Sequence, residues 1–221
     1  MHTARWLSKL DKQLSEQIAP PGGWKTPGRV RVSPITPAES GLRHRVVNKI
    51  AVSVGGVKAT NLFLMLMRNF RLFSAWLGFI KKLMPYGEIP RRETELVILR
   101  VGWNCRCRYE WGQHVDIGLR AGVSADDIAR VPHGAEAPGW EPHVQALMQA
   151  CDEFHAEHMI SEKTWATLEA HYDTRRLLEV LMLIAQYEAL AGVLNSTGLP
   201  LDEEIEEVLS GAPIHGTKSS G

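Results

Sequence analysis

The stretch "RCRYEWGQHVDIGLRAG", residues 106–122, carries the pattern from which the fold of this chain is predicted. It places Cys107, Glu110 and His114 three and four positions apart. On an α-helix with 3.6 residues per turn, side chains at this spacing lie one above another on a single face. We therefore predict a helix on which a thiol, a carboxylate and an imidazole share one edge.

This predicted face has the composition of a proton-transfer site. Glu110 and His114 are an i, i+4 pair that can hydrogen bond, and a carboxylate beside an imidazole stabilises its protonated form. An imidazole titrates near neutral pH, which suits general acid–base chemistry, and an imidazolium nearby favours the thiolate of Cys107. Tyr109 and Gln113 flank this face and are predicted to donate hydrogen bonds to a bound anion or carbonyl.

The same residues also fit a purely structural role. A Glu–His pair on a helix is most often a solvated contact worth a few tenths of a kcal/mol, and a lone cysteine is most often a small buried hydrophobe. Trp111, Val115 and Ile117 indicate that part of this helix simply packs. The spacing alone leaves both interpretations open.

Outward from this stretch, the apolar spacing is helical almost everywhere from residue 38 onward, so the predicted fold class is all-α. Gly122 is placed to end one helix and Ser124 to cap the next. The segment 175–195 is apolar nearly all round, which predicts a helix buried on most sides. It shares an Arg-Arg-x-x-Glu pattern with residues 91–99, which fits a duplicated helix unit or common helix chemistry equally well.

The chain divides into three predicted parts. Residues 1–37 form an N-terminal helix (3–18) followed by an arm, since 19–37 holds five prolines and three glycines, which neither a helix nor a central strand tolerates. We expect this arm either to lie on a neighbour, within the chain or in another subunit, or to be a floppy tether. Residues 38–209 form the helical domain, and 210–221 a flexible tail.

The composition of the chain indicates which kind of partner and which cellular compartment to expect. The 221 residues carry 25 Lys+Arg and 25 Asp+Glu, so nothing in the charge attracts nucleic acid or an acidic membrane. Three cysteines cannot build a disulfide framework, which indicates a reducing compartment. The start of the sequence does not resemble a signal peptide, and no run approaches the ~18 apolar residues of a membrane span. We expect a soluble, cytoplasmic protein whose partner is a small-molecule substrate.

The sequence gives little reason to expect a metal. No paired Cys/His spacing of a zinc site occurs, and Cys105 and Cys107 form a C-x-C that is not a dithiol redox motif. His155 and His158 lie in "DEFHAEH", which is typical of an exposed charged face, and Cys151 lies on an apolar stripe. We predict no metal and no organic cofactor.

The stretch "RRETELVILRVGWNCRCRYEWGQHVDIGLRAGVSADDI" (91–128) resembles the signature of the carboxymuconolactone decarboxylase family, which includes the alkylhydroperoxidase D-like proteins. The segments "NLFLMLMRNFRLFSAWLGF" and "QYEALAGVLNSTGLPLDE" also resemble parts of its longer members, so the resemblance covers about 40–205. It implies an alkylhydroperoxidase D-like helical bundle that assembles into homo-oligomers (dimers, trimers or hexamers), with a site near the motif histidine.

The peroxidase branch of that family has a glutamate on the preceding helix and then Cys-x-x-Cys-x-x-x-His. Alignment on His114 matches the glutamate to Glu95 and the first cysteine to Cys107. The second cysteine position holds Glu110, and the relay histidine falls at Tyr109. A two-thiol peroxidase cycle is therefore not expected.

The decarboxylase branch has Glu, three residues, then His, which Glu110 and His114 match. That branch acts in aromatic catabolism on small carboxylated lactones without metal or organic cofactor. The catalytic residues predicted on this basis are His114, Glu110, Cys107, Glu95 and Tyr109. The predicted substrate-binding residues are Gln113, Trp111 and Arg100, the last being one of five arginines near the motif (91, 92, 100, 106 and 108).

Glu95 has two equally good roles. It completes the site if its helix packs antiparallel to the next one, or it forms a salt bridge to Arg91 or Arg92 that holds the helix hairpin together.

Three functions remain in competition: a cofactor-free acid–base enzyme, a thiol-dependent hydroperoxide reductase using Cys107, and a non-catalytic oligomeric binding protein whose site face is blocked by Trp111 or the arm.

Overall fold

A computed structural model describes residues 19–36, 38, 39, 41 and 60–209. Within these residues the secondary structure is entirely helical, which confirms the all-α class. The predicted helix at 3–18 and the predicted tail at 210–221 lie outside the described residues, and the three-part division of the chain stays a prediction.

The helices are numbered here in chain order. They are α1 (Asn61–Leu66), α2 (Phe70–Leu83), α3 (Arg91–Asn104), α4 (Arg108–Arg120), α5 (Ala125–Arg130), α6 (Pro142–Glu157), α7 (Glu162–Glu169), α8 (Thr174–Thr197) and α9 (Glu203–Leu209). A 3₁₀ turn at Met67–Asn69 joins α1 to α2, and a second 3₁₀ turn, Val131–Glu136, follows α5.

The helix ends follow the local chemistry of the sequence. The Ser124 hydroxyl accepts from the backbone N–H of Asp127, whose carboxylate in turn accepts from the Ser124 N–H, so a capping box starts α5. Gly122 and Gly198 have φ of 93° and 68°, the left-handed conformation in which glycine ends a helix at no steric cost. The predicted cap at Ser124 and the predicted stop at Gly122 are confirmed.

Helix α3 forms the centre of the core. Its residues 96–99 are completely buried, and the helix packs against α4, α6 and α8. Gly102 allows a short distance between α3 and α4. A Cβ at this position would lie 3.3 Å from both the Cβ of Glu110 and the backbone nitrogen of Trp111. The absence of a side chain there brings the motif helix close against α3.

Helix α8 is less buried than its composition predicts. Leu178, Met182 and Val193 are exposed, whereas Leu183 and Ile184 are fully buried. The prediction of burial on most sides is wrong in this respect, because the packing against α2, α3, α6 and α7 leaves one apolar face of α8 uncovered. Such a face is available to a homo-oligomeric contact, which stays a prediction.

The arm lies on the helices of its own chain. Trp24 contacts Trp103 and Trp111 with ring centroids 5.7 and 6.1 Å apart. The backbone N–H of Lys25 donates to the carbonyl of Arg106 at 2.9 Å. The sequence allowed the arm to lie on its own chain, to lie on another subunit or to be a floppy tether. The described part of the arm lies on its own chain.

Two apolar stretches are long enough to cross a membrane by length and composition, Asn61–Leu83 and Thr174–Thr197. The second is α8, one face of which lies in the core, and the first is broken by the 3₁₀ turn. Core helices of soluble proteins pass the same test, so these stretches are weak support for a membrane location. The cytoplasmic location stays a prediction.

Candidate active site

A buried glutamate–histidine pair joins α3 to α4. The carboxylate of Glu95 is fully buried, and His114 is only 6% exposed. The Nδ1 atom of His114 lies 2.6 Å from Oε2 of Glu95, while the other carboxylate oxygen lies 2.6 Å from Nη2 of Arg91. Both roles considered for Glu95 are thus combined in one side chain, which bridges a cation on its own helix and the motif histidine.

Helix α8 supplies an aromatic neighbour to this pair. The ring of Tyr187 stands edge-on to the imidazole of His114, with centroids 5.3 Å apart and an interplanar angle of 85°. Tyr187 is buried, and burial together with the charges of Glu95 and Glu110 raises its pKa well above the ordinary value, so its hydroxyl keeps its proton. No role was predicted for Tyr187 from the sequence, although it lies in the family-like segment "QYEALAGVLNSTGLPLDE".

Glu110 is a separate, unpaired acid. It is 2% exposed, and within the described residues neither carboxylate oxygen has a hydrogen-bond partner. Burial, aided by the negative charge of Glu188, raises the pKa of Glu110 well above its ordinary value of 4.5. The prediction that Glu110 is the hydrogen-bond partner of His114 is wrong, because Glu95 from the neighbouring helix holds the imidazole instead.

Cys107 is the N-cap of α4 and is only 1% exposed. Burial raises the pKa of its thiol well above 9, and Glu110 adds to the shift, while the backbone N–H groups of Tyr109 and Glu110 act in the opposite direction. The predicted activation of this thiol as a thiolate is therefore not found. The backbone of Cys107 is extended, so the residue precedes the helix rather than occupying its face.

Tyr109 and Gln113 share a hydrogen-bond partner, Asp202. The Tyr109 hydroxyl donates to Oδ2 of Asp202 at 2.7 Å and accepts from the backbone N–H of Leu62, and Nε2 of Gln113 donates to the same Asp202 oxygen. These contacts tie α4 to α1 and to the segment before α9. These contacts do not support the predicted roles of Tyr109 as a catalytic donor and of Gln113 as a substrate-binding group, because both side chains are bonded to Asp202.

Trp111 and Arg100 also have structural partners. Trp111 is 4% exposed and packs against Trp103 and Trp24. The guanidinium of Arg100 pairs with Asp152 at 2.6 Å and donates to the carbonyls of residues 131 and 132. Their assignment as substrate-binding residues is not supported by these contacts.

Among the other arginines near the motif, Arg91 is the one that contacts the Glu95–His114 pair. Arg92 pairs with Asp127 at 2.9 Å, and Arg108 with Glu206 at 2.6 Å. Arg106 donates to the carbonyl of Gly22 in the arm. Of these five arginines, Arg91 is therefore the one placed at the Glu95–His114 pair.

Two groups of potential metal ligands occur in the described part of the chain. One is Cys105, His155 and Glu188, and the other is Glu93, His143 and His171. Neither group contains Glu95, Glu110 or His114, although the charge of Glu188 in the first group reaches Glu110 and raises its pKa.

The family comparison covers the helices that carry this pair. Residues 71–153 match the family described as the carboxymuconolactone decarboxylase family. The resemblance drawn from the sequence to the carboxymuconolactone decarboxylase family is confirmed over this segment. No functionally curated protein matches the sequence significantly.

Solved structures share the fold over most of their length. The debrominase Bmp8 superposes with a TM-score of 0.68 and 14% identity, covering 83% of this chain and 98% of that one. An uncharacterized peroxidase-related protein from Ralstonia eutropha JMP134, described as an alkylhydroperoxidase AhpD core, gives 0.68 and 17%, covering 81% and 97%. A peroxidase-related protein from Silicibacter sp. TM1040 gives 0.71 and 13%, covering 81% and 96%. At these identities the likeness shows the fold alone.

Proposed function

We propose that this protein is a cofactor-free acid–base enzyme that acts on a small carbonyl or lactone compound by decarboxylation or a related proton transfer. The observation that carries the proposal is the buried contact of 2.6 Å between Nδ1 of His114 and the carboxylate of Glu95. A carboxylate at one ring nitrogen fixes the orientation of the imidazole and leaves the other nitrogen for proton transfer.

In the proposed reaction Nε2 of His114 exchanges the proton. When a carboxylate leaves as carbon dioxide, the electron pair of the broken C–C bond passes into the adjacent carbonyl system. The imidazolium then gives its Nε2 proton to the carbon that lost the carboxylate, and the neutral imidazole recovers a proton from solvent. Glu95 holds the imidazole in place through both steps, and Arg91 balances the charge of Glu95.

Glu110 and Cys107 have secondary roles in this proposal. The raised pKa of Glu110 favours its neutral carboxyl form, which can donate a hydrogen bond to a developing oxyanion. Cys107 keeps its proton for the same physical reason, burial. The proposed site thus combines the Glu95–His114 pair with two buried groups that can donate protons.

Replacement of His114 by alanine tests the proposal. On a panel of unsaturated lactone acids, His114→Ala is expected to lower kcat/KM by about 10²–10⁴-fold, the usual contribution of a general acid–base group. His143→Ala is the matched control, because His143 contacts Glu93 at 3.2 Å in a second glutamate–histidine pair. That variant should retain turnover. Equal turnover by wild type and His114→Ala would contradict the proposal, and turnover by neither would favour the non-catalytic binding protein.

A second candidate is a thiol-dependent hydroperoxide reductase. It is favoured by the position of Cys107 at the N-terminus of α4, where backbone N–H groups lower the thiol pKa. The thiolate would attack the peroxide O–O bond, giving a sulfenic acid and an alcohol, and an external thiol would reduce the sulfenic acid. The dominant effect of burial argues against it.

The rate of oxidation at Cys107 separates the two candidates. Because burial raises the pKa of both thiols, we expect organic peroxide to oxidise Cys107 no faster than Cys151. Mass spectrometry of peroxide-treated protein gives the rate at each cysteine. Rapid formation of sulfenic acid at Cys107 alone would favour the reductase instead.

A further inference from the structure

Three potential metal ligands from three different helices converge beside the proposed active site, and none of them belongs to the Glu95–His114 pair. Cys105 is the C-cap of α3, His155 lies in the last turn of α6, and Glu188 lies in the middle of α8. Their ligand atoms all lie within 4.8 Å of one another. We propose that Cys105, His155 and Glu188 bind a Zn²⁺ ion, with a fourth coordination position open to water.

The distances fit a tetrahedral ion. Nδ1 of His155 lies 2.8 Å from Oε1 of Glu188 and 3.9 Å from Sγ of Cys105. Zinc bonds of about 2.0–2.3 Å at tetrahedral angles place neighbouring ligand atoms roughly 3.3–3.6 Å apart. The observed separations lie on either side of that range, so small side-chain rotations would complete the coordination. The same ring nitrogen faces both other ligands, as an ion between them requires.

The surroundings hold this geometry. The backbone N–H of Cys105 donates to the carbonyl of Val101, and the carbonyl of Cys105 accepts from Nδ2 of Asn195 at 3.0 Å. Cys105 is buried, whereas the side chain of His155 is 39% exposed. An ion can therefore enter from the His155 side, and one coordination position would remain accessible to solvent.

The other group of ligands fits an ion less well. The rings of His143 and His171 are stacked 3.8 Å apart at an interplanar angle of 10°. In parallel rings the nitrogen lone pairs lie in separate planes and do not point at one ion. One oxygen of Glu93 also accepts from the Tyr172 hydroxyl at 2.6 Å. We therefore assign the ion to Cys105, His155 and Glu188.

Titration with Co²⁺, a spectroscopic substitute for zinc, tests the assignment in the full-length protein. One Co²⁺ per chain should produce the near-ultraviolet absorption of a thiolate–cobalt bond, and competition with Zn²⁺ should remove it. Cys105→Ser is expected to abolish this absorption, whereas Cys107→Ser and Cys151→Ser, the matched thiol controls, should preserve it.

The two other ligands are tested with the same assay. His155→Gln and Glu188→Gln should weaken Co²⁺ binding by more than the roughly 10–100-fold that loss of an outer-shell partner costs. Because His155 is exposed, its variant is expected to fold, and far-ultraviolet circular dichroism checks this for all variants. An absence of thiolate–cobalt absorption in wild type, or its survival in Cys105→Ser, would overturn the proposal.

Discussion

Replacing Glu95 by glutamine is expected to lower the free energy of unfolding by about 3 kcal/mol, the lower end of the cost of breaking a buried ion pair. The carboxylate is fully buried and contacts both Arg91 and His114 at 2.6 Å. Glutamine keeps the shape but removes the charge that both partners face. The lower end applies because the Arg91 side chain is 31% exposed and can recover some hydration. Urea denaturation measures the change.

The matched control for this change is Asp116→Asn. Asp116 and Arg120 on α4 form an i, i+4 ion pair with the same distance of 2.6 Å, but both side chains are substantially exposed. An exposed pair contributes less than about 1 kcal/mol, so the control should be nearly neutral. A Glu95→Gln variant as stable as this control would show that Glu95 does not hold α3 and α4 together.

Replacing Glu110 by glutamine should change how stability depends on pH. Below about pH 4.5 the carboxyl group is protonated in both the folded and the unfolded chain. Above that pH the unfolded chain ionises while the buried group keeps its proton, because its folded pKa is raised. Wild-type stability therefore falls with rising pH, by at most about 1.4 kcal/mol per pH unit, until the folded pKa is passed. Glutamine does not titrate and removes this contribution.

The measured quantity is the difference in the free energy of unfolding between Glu110→Gln and wild type. Denaturation between pH 4 and pH 8 should show Glu110→Gln gaining stability relative to wild type as pH rises, with any constant packing cost unaffected by pH. Other titrating groups are common to both proteins and cancel. Glu157→Gln, at an exposed position, is the control and should show no such trend. A pH-independent difference for Glu110→Gln would mean that Glu110 is ionised in the fold.

The helices were predictable because their signals are local. The capping box at Ser124, the glycine stops at 122 and 198, and the apolar run of α3 all act within one or two turns. The same locality explains the error at Cys107. The spacing to His114 is correct for a helix, but Arg106 has φ of 53°, so the chain turns there and Cys107 is left as the cap.

The partners within the candidate site were less predictable because they come from distant parts of the sequence. His114 had a possible partner four residues away in Glu110, but the close approach at Gly102 gives it Glu95, 19 residues away. Tyr109 and Gln113 are held by Asp202, about 90 residues downstream. Spacing identifies which residues share a helix face, but only packing decides what that face meets.

The motif helix is anchored by two residues from distant parts of the chain: Trp24 packs against Trp111, and Asp202 bonds to Tyr109 and Gln113. Neither anchor belongs to the matched family segment, 71–153. A fragment trimmed to that segment would therefore keep every acid and base of the proposed chemistry while losing the supports that hold α4 in register. A shortened protein that keeps this support for α4 must therefore include more than the matched segment, and extends from the arm to α9.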